Sequence, residues 1–476
     1  MPANIATRGS FRQQMDQFWQ DSTALMGGVY AMRAAGKTYL PQFAYETNDE
    51  YSYRLNSTFL TNLYRKITKS ILGHLFRKPI DRTNVNLDPE VLDNIDMNGS
   101  TVEDFARGLA KDVLTKGWAL LFCEFSQDGA GENILQQQAE NRRPYWVRIP
   151  PENLVDARVA TVAGRARFVE ARWVLPEGDG KTELDAGEEL IHEVIAEQLG
   201  PDGELLAGYW TRYRCRDGVS EIIETGPFEF GPYLPMGIVY ATREGHLVGI
   251  PTLEGVAQKN LEHWRASSEY SNIVTKTSFP ILYEKGVEVD PPTVGEDGED
   301  QEPERVFGPG IMWQHSSADA NLTYVSPDPA LSTVSERRLD RIVAEAEIEA
   351  LELRVKASTG QTATAEEIDR VENMSPLQVV SFDIEKCMNE GLSFYAEWLN
   401  QATPGRLLLN RDFGLGTSDR VAIEGLKAAV AAGAITTETF VREAKRIGFL
   451  SQDIDPEVEA LRAREQLADP DGFGEQ

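Results

Sequence analysis

Apolar side chains recur every three or four positions in the stretch YRLNSTFLTNLYRKITKSILGHLFRKPI, where Leu55, Phe59, Leu63, Ile67, Ile71 and Leu75 form one stripe. That spacing predicts a single long amphipathic helix with the stripe facing a core. Upstream, residues 1 to about 38 read as helix and loop. TVEDFARGLAKDVLTKGWALLF reads as a helix running into a buried strand. Between 118 and 250 the period shortens. WALLFCEF, YWVRIP, RFVEARWVL, LIHEVIAEQL, GYWTRYRCR, EIIETGPF and MGIVYAT alternate with Gly, Pro and Asp, which predicts a mixed, largely antiparallel sheet region.

Helical spacing returns after Pro251. Thr252 is placed to cap a helix of about 27 residues, TLEGVAQKNLEHWRASSEYSNIVTKTS, which at ~1.5 Å per residue would be roughly 40 Å long. Residues 279–330 are β-like and loop-rich around DPPTVGEDGEDQEPER, an acidic stretch expected to be exposed and mobile. A second long helix follows, with Thr333 and Glu336 as an expected capping box. Its apolar stripe is Leu339, Ile342, Val343, Ala346, Ala350 and Leu353, and its opposite face is nearly all Arg and Glu. ASTGQTA at 357–363 breaks it. Thr364 with Glu367 predicts a third helix. Ser375 with Gln378, and Pro376 in the first turn, then predict a break and a new start running to about Gln401. Three short helices are predicted from there to the C-terminal region, with Gly433 and Gly448 as stops and the last residues disordered.

Composition narrows the function classes. At 476 residues the chain can bury one large core or two to three smaller ones. It has no run of eighteen apolar residues, and its first twenty residues lack the apolar region of a secretory signal. Cys123, Cys215 and Cys387 stand far apart, which suits reduced thiols. The net charge of −29 argues against a broad grip on nucleic acid. Gly36-Lys37-Thr38 resembles the end of a phosphate-binding loop, but position 31 is Ala and no strand precedes it, so it reads as a helix cap and turn. Gly414-Leu415-Gly416 is followed at 419 by Asp, so it is no dinucleotide fingerprint. The five histidines form no HxxxH or HExxH pair, and no GxSxG elbow occurs. No cofactor, metal site or catalytic set is expected, and an enzyme reading (nuclease or ATPase) finds no residues to carry it.

The arrangement from Tyr39 to Pro79, with its Tyr-Leu-Pro opening, acidic turn, Tyr53-Arg54-Leu55 and closing Leu75-Phe76-Arg77-Lys78-Pro79, resembles the N-terminal signature of tailed-bacteriophage portal proteins, the head-to-tail connectors. His263-Trp264-Arg265-Ala266-Ser267-Ser268-Glu269-Tyr270, followed by Phe279-Pro280-Ile281-Leu282, is similar to that family's first stem helix and the start of its clip. The resemblance implies an α+β portal fold: N-terminal region and wing at 1–250, stem helix at 251–278, clip at 279–330 and second stem helix at 331–355. A tunnel loop at 356–364, a kinked wing helix at 365–402 and a crown with C-terminal tail at 403–476 complete it.

By the same resemblance the chain would be a subunit of a ring of about twelve copies at one capsid vertex in the virion, assembled in the host cytoplasm. Double-stranded DNA would pass through it non-specifically during packaging and ejection. Its implied partners are the terminase large subunit, head–tail adaptor or tail proteins, and the major capsid and scaffolding proteins, with no membrane involved. Lys356, Ser358, Thr359, Gly360, Gln361 and Thr362 are the candidate tunnel-loop contacts to DNA. Arg337, Arg338 and Arg341, with Glu345, Glu349 and Glu352, are candidates for salt bridges between neighbouring stems, the arginines alternatively for DNA contact. About twelve copies would sum to roughly −350, a field that repels phosphates during passage. The acidic loop would face the motor or the adaptor, or else simply be solvated. The alternative reading is another phage head–tail adaptor or a structural helical-bundle protein.

Overall fold

Trp118–Phe125 is the most apolar run in the sheet region because both of its faces are covered. Trp118, Leu120 and Phe122 point into one core, and Ala119, Leu121 and Cys123 into another, as the two-residue period of a strand requires. The structure, a computed structural model, describes residues 5–125, 142–175, 184–185, 187–199, 204–278, 281–285, 293–294, 300–301, 321–325, 330–352, 375–410, 425–447, 455 and 457–462. The fold is α+β.

In chain order the first half carries α1 (Arg12–Gly27), α2 (Val29–Ala35), α3 (Asn48–Ser57), α4 (Leu63–Leu75), α5 (Pro89–Asp93) and α6 (Val102–Lys116). Strands follow: β1 (Trp118–Phe125), β2 (Pro144–Ile149), β3 (Leu154–Val162), β4 (Arg165–Val174), β5 (Glu189–Ile195), β6 (Gln198–Leu199), β7 (Leu205–Leu206), β8 (Tyr209–Arg216), β9 (Val219–Pro227), β10 (Met236–Tyr240), β11 (Thr242–Gly245) and β12 (Val248–Ile250). Then come α7 (Glu254–Ser278), β13 (Ile281–Lys285), β14 (Thr293–Val294), β15 (Asp300–Gln301), β16 (Asn321–Val325), α8 (Ala330–Glu352) and α9 (Pro376–Trp398). Helical segments at 425–431, Thr437–Ile447 and 457–462 lie where three short helices were predicted.

The chain forms two compact units, the first from 1–26, 63–257 and 347–476, the second from 27–62 and 258–346. In the first, an antiparallel sheet of order β10-β1-β2 packs α6 and α9 on one side, burying Leu109, Val113, Leu121, Trp146, Ile384, Met388 and Leu392. On the other side Trp118, Leu120 and Phe122 meet Met15 and Trp19 of α1, and Trp173 and Trp210 of a five-stranded antiparallel sheet, β3-β4-β5-β8-β9. All pairings described within these sheets are antiparallel. Strand β3 was not singled out by the apolar pattern. Its outer half is exposed, so alternation is visible only in its first residues. Gly117 closes α6 at φ +92, and a Cβ there would sit 1.9 Å from Gly249 O, so only glycine lets α6 turn directly into β1.

Ser375 and Gln378 form the predicted capping box of α9, with Pro376 in its first turn. The predicted kink before it lies outside the described residues, as does the Thr364–Glu367 box. Ser375→Ala is expected to lower the stability of the first unit by about 1 kcal/mol, read as a shift in urea midpoint without a change in slope, whereas Ser375→Thr should retain most of it.

Three expectations are corrected. The helix expected to run unbroken from Tyr53 to Leu75 is two helices, α3 and α4, and Phe59 between them is 78% exposed. Thr58 and Ser57 turn their hydroxyls back onto Arg54 O, at 2.6 and 3.1 Å, and Thr58 takes an extended conformation. The carbonyls of Thr58, Phe59 and Thr61 are then taken by side chains of Arg33, Ser267 and Asn260 instead of by a helix. The second correction concerns α7, which starts at Glu254 and not at a Thr252 cap. Glu254 N donates to Pro251 O and Leu253 N to Leu114 O, so a turn occupies 251–253. The third concerns α8, which starts at Ala330, one turn before the expected Thr333–Glu336 box; Glu336 accepts a hydrogen bond from Tyr270 of α7 instead.

Gly36 caps α2 at φ +51, and Gly36–Thr38 is a single 3₁₀ turn, as its sequence reading had it. The three cysteines are free and buried.

Candidate functional site

The second unit is organised around α7. Residues of the N-terminal signature brace one side of it. Arg54, 6% exposed, holds Glu46 through two hydrogen bonds, Nε to Oε1 at 2.6 Å and Nη2 to Oε2 at 2.7 Å. Its Nη1 donates to Ser268 Oγ of α7 at 3.1 Å and its Nη2 to Pro41 O at 2.9 Å, and the guanidinium lies 4.2 Å from the Phe43 ring centroid. A guanidinium is the one cation with enough fixed, planar donors for this set. Arg265 Nε donates to Tyr39 O at 3.2 Å on the same side. Thr47 and Glu50 form a capping box that starts α3, so the acidic turn of the signature delivers Arg54 to α7. The signature was visible in the sequence, but this clamp was not, because Ser268 is 214 residues from Arg54.

The other side of α7 packs against α8. The two helices run antiparallel, since Lys259 meets Glu345 while Tyr270 meets Glu336. Ile342 and Ala346, predicted for the apolar stripe, are buried, at 2% and 0% exposure. Lys259 Nζ lies 2.6 Å from Glu345, which also accepts from Arg341 Nε at 2.7 Å. Arg338 reaches Glu269 at 3.0 Å and Glu262 at 3.7 Å. The hydrogen bond from Lys259, then that from Arg341, brings the Glu345 carboxyl down to about 2. The same bonds raise Lys259 and Arg341. Tyr270 is raised by its bond to Glu336. These pairs are solvent-exposed, so they set register between the helices more than stability.

Between the helices lies a cleft of about 390 Å³ lined by Lys259, Glu262, Val334, Arg337, Arg338, Arg341, Ile342 and Glu345. Arg337 makes no ion pair among the described residues. Thus Arg338, Arg341 and Glu345, predicted for contacts between subunits, make ion pairs within one chain. Glu349 lies over Gly255, where a Cβ would come within 2.6 Å of its carboxylate, and Glu352 is exposed at the end of α8. Lys356, Ser358, Thr359, Gly360, Gln361 and Thr362 lie outside the described residues. So does the acidic loop, except for the short β14–β15 pairing.

Beyond α7, β13 pairs with β16 from Ile281↔Val325 to Lys285↔Asn321, so an antiparallel pair joins the two helices. Among the described residues no group of three or more His, Cys, Asp or Glu side chains is placed to hold a metal ion. No described helix is long and apolar enough to cross a membrane.

A family profile described as "Domain of unknown function (DUF4055)" matches residues 252–399, from α7 to the end of α9. No curated protein matches the chain. Among solved structures, the chain is similar to one from the virion of a native gene transfer agent (GTA) particle, with a TM-score of 0.35 and 12% identity over 87% of this chain and 98% of that one. A structure from the neck of an empty GTA particle, computed with C6 symmetry, gives a TM-score of 0.36 and 12% identity over 81% and 89%. One from the neck of a native GTA particle, computed with C12 symmetry, gives 0.34 and 11% over 87% and 98%.

Proposed function

We propose that this chain is a portal subunit of a tailed phage or phage-like particle, one copy of a ring through which DNA is packaged and ejected. The observation that supports it best is the α7–β13/β16–α8 unit, two antiparallel, ion-paired helices joined through a strand pair, with the Tyr39–Pro79 signature clamped onto α7 through Arg54. This is the order expected of stem, clip and stem, and it explains why that signature accompanies those helices. A channel wall needs helices that bury one stripe and keep another charged and wet, and α8 has both. A net charge of −29 per copy suits a conduit that DNA must pass without sticking. On this reading the chain performs no catalysis. The packaging ATPase belongs to a separate terminase docked on the clip, adaptor or tail proteins bind below it, and capsid and scaffolding proteins surround the ring. The subunit resides in the virion.

Electron microscopy of the purified protein, with native mass as a second readout, tests this. Rings of about twelve subunits with an axial channel are the expected result. A compact dimer, or a filament without a channel, would sink it.

A further inference from the structure

The cleft between α7 and α8 carries four cations, Lys259, Arg337, Arg338 and Arg341, against two carboxylates, in a chain whose net charge is −29. Copies this acidic repel one another, so they associate most readily where one surface is locally basic. Arg337 and Arg341 stand four residues apart on the exposed face of α8, and Val334, 64% exposed, shares that face one turn earlier.

A matching surface exists in the same unit. Asp49 and Tyr53 are four residues apart on α3, both exposed, and Tyr45 just before the helix is 100% exposed. Asp49 has no ion-pair partner among the described residues, the counterpart of Arg337. An acid flanked by tyrosines suits an arginine pair, through charge-assisted hydrogen bonds and stacking of guanidinium on ring. The two surfaces do not meet within one chain. On α7, the residues that reach α8 (Lys259, Glu262) and those that reach the signature (Asn260, Ser267) lie on well-separated faces. A patch and its complement on different sides of one subunit make a head-to-tail contact, which closes into a ring when the rotation per copy divides a full turn.

We infer that Tyr45, Asp49 and Tyr53 of one copy dock against Val334, Arg337 and Arg341 of the next. This rests on the portal reading, because it supplies that ring with its contact. The test uses the full chain with Tyr45→Cys and Val334→Cys, both at exposed positions, joined by a short bis-maleimide; the chain's own cysteines are buried. A chain carrying both substitutions should give a ladder of covalent multimers on a denaturing gel, and an equal mixture of the two single variants should stop at dimers. In parallel, Arg337→Asp should lower the ring population in native mass at least tenfold, and adding Asp49→Arg should restore it. Rings without cross-linked multimers would overturn the inference and leave the portal reading intact. Absence of any assembly, cross-linked or native, would overturn the inference, whereas a compact dimer or a filament without a channel would overturn the portal reading with it. Tenfold weaker binding of a labelled DNA duplex by Arg337→Asp, with the ring unchanged, would make the cleft a DNA contact and overturn it as well.

Discussion

Arg54→Met should destabilise the unit formed by 27–62 and 258–346 by roughly 3–5 kcal/mol, the usual cost of leaving one partner of a buried ion pair behind. Both side chains are nearly sealed, with 7% of the Arg54 side chain and 8% of Glu46 exposed. Removing the guanidinium also strands Ser268 Oγ and Pro41 O. Arg54→Lys should recover only part of the loss, since an ammonium keeps the charge but cannot span Glu46, Pro41 and Ser268 together. Glu46→Leu combined with Arg54→Met should be less damaging than the two single changes added, because no charge is then left unpaired. Urea unfolding followed by far-UV circular dichroism and by tryptophan fluorescence, to which Trp264, fully buried in this unit, contributes, measures the effect. A loss below about 1 kcal/mol would mean that the clamp is incidental, on the scale of exposed pairs.

The second large effect is proton-linked. His192 of β5 is 3% exposed, with its ring 4.8 Å from that of Trp173 and 5.8 Å from that of Trp210, and neither ring nitrogen has a hydrogen-bond partner among the described residues. Burial first, and the neighbouring Arg212 second, hold its pKa down at about 3, against an ordinary value of 6.5. The unfolded chain therefore takes up a proton near pH 6.5 that the folded chain refuses until about pH 3. Above pH 6.5 the residue exerts no such effect. As the pH falls from there towards 3, stability should drop at up to about 1.4 kcal/mol per pH unit, a few kcal/mol in all, and the loss should level off below. His192→Phe removes the site while filling the aromatic slot. Wild type minus variant, measured by urea unfolding at several pH values between 7.5 and 4.5, should show this slope, and carboxylates common to both chains cancel. Parallel curves would rule the mechanism out. At neutral pH the variant should be nearly neutral or slightly more stable, since two unpaired buried nitrogens disappear.

What was legible in the sequence was what local spacing and local hydrogen bonds decide. The Ser375–Gln378 box and Pro376 set the start of α9, and the apolar run from Trp118 announced a buried strand. The alternating runs to 250 gave an antiparallel sheet region, and the stripe through Ile342 and Ala346 gave the buried face of α8. These signals sit within one turn or one strand, where 3.6- and 2-residue periods are the physics.

Tertiary structure decided whatever depended on a partner far along the chain. The stripe from Leu55 to Leu75 keeps a helical period across 58–62, yet the helix ends there because Arg33, Ser267 and Asn260 take the carbonyls a continuous helix would have used. Thr333 and Glu336 had the right spacing for a cap, but packing against Tyr270 carries α8 one turn further towards its N-terminus. Arg54 stood out in the sequence only as part of the Tyr53-Arg54-Leu55 signature, and its burial against Glu46 and Ser268 appears only once the distant segments meet. Charge order alone could not say whether Arg338 and Arg341 pair within the chain or beyond it. Burial and pairing of charge are properties of two segments brought together, and no window along a single segment contains them.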